Sequence, residues 1–270
     1  MKVYTLWKIM MKKIGFIGMG NMASAILNGM IKAEFLSGDS ICAYDISLDQ
    51  LKKVESLGIE FAKNEQEVVE KSGIIFIAVK PQVIENVLLP LKEKLKGKAI
   101  ISIVLGYDFK KYEEIVDGST RHIFVMPNTP VQVLEGMCLL EETHSLNKDE
   151  FEFTKKLFES IGRVEIVPSH LMGVAGALCG CSPAFIYMVI EALADGAVKE
   201  GMPRAMAYRL ASQMILGSGK MQLETNIHPA ILKDNVCSPG GSTIQGVKVL
   251  EDGKMRSLFI EAISKSTNYK

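Results

Sequence analysis

From Lys13 onward, short apolar runs alternate with stretches of helical spacing. Ile14-Gly15-Phe16-Ile17 is apolar and ends in glycines, which suits a buried strand. Met22 to Ala33 then carries apolar or small residues at helical intervals (Met22, Ile26, Gly29, Met30). The pattern next predicts a strand over 40–44, a helix over 48–57 that Gly58 can terminate, and a short helix over 66–71. Ile74 to Val79 is continuously apolar and rich in β-branched residues, as expected of a parallel strand covered on both faces. A helix after Pro81, strands over 99–104, 122–126 and 164–167, and a helix over 151–160 complete this half. Strands that alternate with helices in this way predict an α/β fold with a doubly wound sheet.

The alternation fades at Pro168-Ser169-His170, and only helical signals follow. One long helix is predicted from Pro183 to Lys199, ended by Gly201. Pro203, at a first helical position, opens another to about Leu223. Both are apolar on more than one face (Phe185, Met188, Leu193; Met206, Leu210, Met214). So few elements cannot cover such surfaces alone, and a second subunit is expected to do so. The expected division is 1–167 and 168–270, the latter all-α.

Composition adds limits. The 270 residues hold 48% hydrophobic and 23% charged residues, an ordinary globular mix that can bury a core without staples. Lys+Arg and Asp+Glu balance at 31 each, which gives no footprint for nucleic acid or an anionic membrane surface. No apolar run reaches membrane-spanning length without a charge or glycine interrupting it. Cys42, Cys138, Cys179, Cys181 and Cys237 form no CxxC pair, and the four histidines show no metal spacing. Reduced thiols in a cytoplasmic protein with no metal site are the expectation. Residues 1–11 read as an extension before a natural start near Met11.

The first candidate chemistry is Gly18-Met19-Gly20-Asn21-Met22-Ala23, which reads G-x-G-x-x-A after the Ile17 strand end. The first glycine permits a tight turn, the second lets a pyrophosphate approach the backbone, and Ala23 keeps the helix close to the sheet. The helix N-terminus offers free N–H groups to phosphates. The motif's place after a strand and before a helix makes it a Rossmann-like dinucleotide site. Asp45, at the end of the second strand, suits an adenosine ribose and would repel a 2′-phosphate, or is instead an exposed turn residue before Ser47. Ala78-Val79-Lys80-Pro81 ends a central strand and should line the cofactor crevice, with Lys80 alternatively a solvated loop charge. Asn64 joins the cofactor set. Asn128, stiffened by Pro127 and Pro130, either aims its amide at a nicotinamide carboxamide or merely belongs to a rigid turn.

The densest signal lies at 233–244, LKDNVCSPGGSTI including Leu232. It ends one helix, turns at Pro239-Gly240-Gly241, and starts another at Ser242/Thr243, hydroxyl residues that suit N-caps. Together Gly240, Gly241, Ser242 and Thr243 make a pocket of backbone N–H groups for a small carboxylate.

With these residues in view, the chain resembles the pyrroline-5-carboxylate reductase family. IGFIGMGNMASAI, AVKPQ, MPNTP, EALADGAVKEGMPR, HPAILKDNVCSPGGSTIQGV and VLEDGKMRS occur in the family's order and cover nearly all of the chain after Met11. The resemblance implies a Rossmann-like domain followed by a helical dimerisation and substrate-binding domain. It also implies NADPH- or NADH-dependent reduction of 1-pyrroline-5-carboxylate to L-proline, the last step of proline biosynthesis. Family members assemble as dimers, often as rings of five dimers. Thr243 is the expected catalytic contact, to the ring nitrogen. The sequence departs from the family at Cys179-Gly180-Cys181-Ser182, at Val104-Leu105-Gly106, where the family has Ala-Ala-Gly, and at Asp45-Ile46, where many members carry Asn-Arg or Ser/Thr. Two rivals are a 3-hydroxyacid dehydrogenase, which uses a lysine that Gly173 to Cys181 lacks, and a dinucleotide-binding redox sensor, for which no partner element is visible.

Overall fold

The structure is a computed structural model and describes residues 13–268; the expected extension 1–11 lies outside them. The chain divides into two compact units, up to Gly180 and from Cys181.

The first unit is built on one sheet. Its elements are β1 (Lys13–Ile17), α1 (Asn21–Lys32), β2 (Ile41–Tyr44), α2 (Leu48–Lys52), β3 (Glu60–Phe61), α3 (Glu65–Lys71), β4 (Ser72–Ile77), α4 (Ile84–Leu88), β5 (Ala99–Ser102), α5 (Phe109–Ile115), β6 (Arg121–Met126), β7 (Gly136–Glu141), α6 (Lys148–Glu159), β8 (Gly162–Val167) and α7 (Met172–Gly176). The strand order is β3-β2-β1-β4-β5-β6-β7-β8. All pairings are parallel except β6 with β7, which run antiparallel because only a short connection separates them.

Both sheet faces are covered, as the continuous apolar strands predict. On β4, Ile74 and Phe76 enter one core with Phe16 and Ile101, while Ile75 and Ile77 enter the other with Ile17 and Ile100. The Phe16 and Phe76 rings stack with centroids 4.5 Å apart at the β1–β4 register point. The strand order reverses direction between β1 and β4, so a crevice opens beyond their carboxyl ends.

The expected helix over 48–57 is shorter: α2 stops at Lys52, and a 3₁₀ turn over Glu55–Leu57 leads to Gly58 at φ +70°. Three elements were not expected: β3, the Asp108-capped α5, and β7.

The second unit holds α8 (Ser182–Lys199), α9 (Arg204–Thr225), α10 (Pro229–Val236), α11 (Ser242–Asp252) and α12 (Met255–Thr267). Pro203 is the N-cap of α9 rather than its first residue. In these helices only Ala194, Ala207 and Ala211 are buried apolar residues, while Met188, Leu210, Leu216, Leu258 and Ile260 are more than half exposed. The stretch Ser169–Lys199 is long and apolar enough, by length and composition alone, to cross a membrane, with glycines and charges interrupting it.

Candidate functional site

β1 delivers the chain into the glycine-rich turn. Gly18 has φ +92°, and a Cβ there would lie 2.7 Å from the Ala78 carbonyl oxygen, so both conformation and space demand glycine. Its N–H donates to the Tyr44 carbonyl at 2.9 Å, and the Ala78 N–H donates to the Ile17 carbonyl at 2.9 Å. The ends of β1, β2 and β4 are thereby laced together. Ile17, Met19 and Ala23 are buried, Met22 is half-buried and Asn21 is exposed.

Gly20 is the N-cap of α1, in extended backbone and with no side-chain cap bond. A Cβ built there meets nothing within 4 Å. The first-turn amides of α1 have no acceptor inside the helix, and they carry its positive end. Open space beside Gly20 and unsatisfied donors at a helix start are what a dinucleotide pyrophosphate requires, so the residues present fit such a cofactor.

Asp45 follows β2. Its Oδ2 accepts the Met19 N–H at 2.7 Å, and its Oδ1 accepts the Ser47 N–H at 2.8 Å. Ile46 beside it is exposed. Ala78 and Val79 are half-buried past the end of β4, and Lys80 is exposed and precedes the 3₁₀ turn that Pro81 opens. Asn64 lies past the end of β3, where its Oδ1 caps α3 by accepting the Glu67 N–H at 2.9 Å.

Asn128 departs from the expectation. Its Nδ2 donates to the Cys179 carbonyl at 3.0 Å and its Oδ1 accepts the Met137 N–H at 2.8 Å. Both ends of the amide are committed inside the protein. The side chain therefore ties the Pro127–Pro130 turn to β7 and to the π-helical segment Ala177–Cys181, as the rigid-turn alternative expects.

The loop after β5 was noted in the sequence only as Val104-Leu105-Gly106, yet its supports are extensive. The buried Tyr112 hydroxyl donates to Ser102 Oγ at 2.6 Å, and Ser102 Oγ accepts the Val104 N–H at 3.2 Å. Burial pushes the Tyr112 phenol well above its usual range. At the loop's far end the Phe109 N–H donates to Glu141 Oε2 at 2.9 Å. Glu141 is fully buried and its Oε1 has no hydrogen-bond partner among the described residues; burial raises its pKa. No spacing rule links Ser102, Tyr112 and Glu141, so only the fold could bring them out.

In the second unit, α10 ends at Val236 and the chain turns through Ser238-Pro239-Gly240. Gly240 has φ +69°, and the Gly241 N–H closes the turn on the Ser238 carbonyl at 3.0 Å. The N-cap of α11 is Gly241, not Ser242 or Thr243 as expected. The tight turn explains the difference: it places Gly241 at the capping position, where a Cβ would crowd the Ser238 side chain. Ser242 and Thr243 are exposed first-turn residues instead, with hydroxyls not used in capping. Two glycines and a helix start without a side-chain cap leave backbone N–H groups free of helical partners at the start of α11.

Among the described residues no group of three or more His, Cys, Asp or Glu is placed to hold a metal ion. The five cysteines are free; Cys42 and Cys138 are buried, which pushes the Cys138 thiol up to about 12.

Comparison with known proteins covers both units. Residues 169–270 match the family model for pyrroline-5-carboxylate reductase dimerisation, and residues 13–106 match that for NADP oxidoreductase, coenzyme F420-dependent. The Ser169–Lys199 stretch falls within the dimerisation match. Pyrroline-5-carboxylate reductase of Methanosarcina acetivorans is 40% identical over 258 residues, 95% of this chain and 96% of that protein. The Escherichia coli enzyme of the same name shows the same identity and coverage, 40% with 95% and 96%. The crystal structure of Plasmodium falciparum pyrroline carboxylate reductase with NADP bound superposes with a TM-score of 0.86 at 31% identity, covering 95% of each chain. That from Coxiella burnetii gives 0.85 at 33% identity, over 95% of this chain and 96% of that one. The chain, with its Rossmann-like unit and its helical dimerisation unit, belongs to the pyrroline-5-carboxylate reductase family.

Proposed function

We propose that this protein reduces 1-pyrroline-5-carboxylate to L-proline with NAD(P)H, the last step of proline biosynthesis. The observation that carries this reading is 40% identity to reductases of that name over 95% of the chain. Bound NAD(P)H supplies hydride to the carbon of the substrate's C=N bond. The chain's own work is positioning. Gly18 to Ala23 hold the pyrophosphate against the start of α1. Asp45 meets the adenosine ribose, Asn64 lies on the same side, and Ala78, Val79, Lys80 and Pro81 line the crevice. In the second unit Gly240, Gly241, Ser242 and Thr243 bind the substrate carboxylate, and the Thr243 hydroxyl hydrogen-bonds the ring nitrogen. A protonated imine is already electrophilic, so no strong general acid is needed.

Cofactor choice turns on Asp45. Its carboxylate accepts ribose hydroxyls from NADH but faces a like charge in the 2′-phosphate of NADPH. Ile46 provides no guanidinium to compensate. The reading is therefore that NADH serves at least as well as NADPH. The exposed apolar helices of the second unit support a homodimer, with a ring of five dimers as the larger assembly the resemblance implies. Reduced thiols support a cytoplasmic location.

The test follows NAD(P)H absorbance with pyrroline-5-carboxylate, and with 3-hydroxyacids in the reverse direction. Oxidation of either cofactor by the imine alone is expected. Turnover of a 3-hydroxyacid instead would overturn the reading. A strong parental preference for NADPH that Asp45→Ser leaves unchanged would remove Asp45 from the ribose.

A further inference from the structure

The glycine-rich turn must combine freedom with a fixed shape. Gly18 and Gly20 give the backbone room for phosphates, yet glycines on both sides of Met19 also leave it free to pivot. The structure shows how the pivot is stopped. The Met19 N–H is held by Asp45 Oδ2 at 2.7 Å, its carbonyl accepts the Ser24 hydroxyl at 3.1 Å, and its side chain is fully buried. Asp45 is itself fixed, since its Oδ1 accepts the Ser47 N–H at 2.8 Å.

We infer that Asp45 is a positioning residue that clamps the glycine-rich turn to the end of β2, so that affinity for NADH and NADPH alike depends on its carboxylate. This deepens the cofactor reading above and rests on it. The two backbone N–H groups approach different oxygens. A carboxylate has about four lone-pair directions, so each oxygen keeps one for a ribose hydroxyl. Clamping and ribose contact are therefore compatible, and the two roles make opposite predictions for NADPH. If Asp45 acted only by contacting ribose and repelling the 2′-phosphate, its removal would help NADPH. If it clamps the turn, removal leaves the Met19 N–H without its charged acceptor, lets the turn relax, and harms both cofactors.

The experiment compares KM and kcat for NADH and NADPH in the full-length parent, Asp45→Ala and Asp45→Asn. The clamp predicts that Asp45→Ala raises KM for both cofactors, by about tenfold or more for NADH and by less for NADPH, which also escapes the like charge, while kcat stays within about twofold. Asp45→Asn keeps one acceptor oxygen for the Met19 N–H but turns its amide donor toward the Ser47 N–H, so it should recover only part of that loss for both. A KM for NADPH at or below the parental value in Asp45→Ala overturns the clamp and leaves the ribose contact standing. A parental protein that binds neither cofactor overturns the cofactor reading itself, and the clamp with it. Amide hydrogen exchange in the cofactor-free parent gives an independent measurement should Asp45→Ala not fold. A protected Met19 N–H supports the clamp, and a freely exchanging one overturns it.

Discussion

Two residues separate the roles of shape and chemistry. At Gly20 a Cβ meets no neighbouring atom, so a side chain there costs the fold little and intrudes only on the space a pyrophosphate needs. Gly20→Val should leave the melting temperature near the parental value and weaken cofactor binding by at least about a hundredfold (~2.7 kcal/mol). Titration calorimetry with NADH checks it, and retained affinity would remove the turn from the site. Thr243 is exposed near the start of α11, so Thr243→Val should not alter stability. Loss of one hydrogen bond to the substrate should lower kcat/KM by about fivefold or more (~1 kcal/mol). Steady-state kinetics at the parental level would show that the hydroxyl takes no part.

The elements that were legible in the sequence are those whose burial leaves a periodic mark. β1 and β4 were legible because both faces are covered and their centres are apolar, although β4 spans Ser72–Ile77 rather than the expected 74–79. β7 (GMCLLE) was missed because it begins with glycine and ends in a buried glutamate, which breaks an otherwise apolar run. α5 (FKKYEEI) was missed for the opposite reason: only Tyr112 and Ile115 are buried, and its Asp108 cap was not recognised. Within the site, the G-x-G-x-x-A turn and the Pro-Gly-Gly turn were legible because local backbone geometry fixes their residue types. The partners of Asn128 were not, since Cys179 is distant in sequence and the carbonyl it offers carries no side-chain signature. The start of α6 shows a signal that was present but unread. Asn147 accepts the Glu150 N–H at 3.0 Å and Glu150 returns a bond to the Asn147 N–H at 3.0 Å, a capping box. Glu150 also pairs with Arg121 on β6, so this cap docks α6 to the sheet. Asn147→Ala should destabilise the protein by about 1 kcal/mol, read by urea unfolding, with KM for the cofactor unchanged.

At the scale of the molecule, the two units divide the labour. The first presents a dinucleotide crevice at a strand-order reversal, where ligands of such sheets bind. The second presents an uncapped helix start at Gly241 and helices whose large apolar residues stand in the open. Met188, Leu210, Leu216, Leu258 and Ile260 stand exposed on one small unit, within the part of the chain that matches the dimerisation family model. Light scattering at micromolar concentration should give at least a dimer; a monomer would contradict the assignment of that surface to a second subunit. Together the two units serve one reaction, reduction of a cyclic imino acid. Purified protein, pyrroline-5-carboxylate and a limiting amount of NADH or NADPH, with products quantified by chiral chromatography, test it directly. L-proline should form in equal molar amount to the cofactor oxidised. Absence of L-proline with both cofactors, from protein shown to bind them, would contradict it.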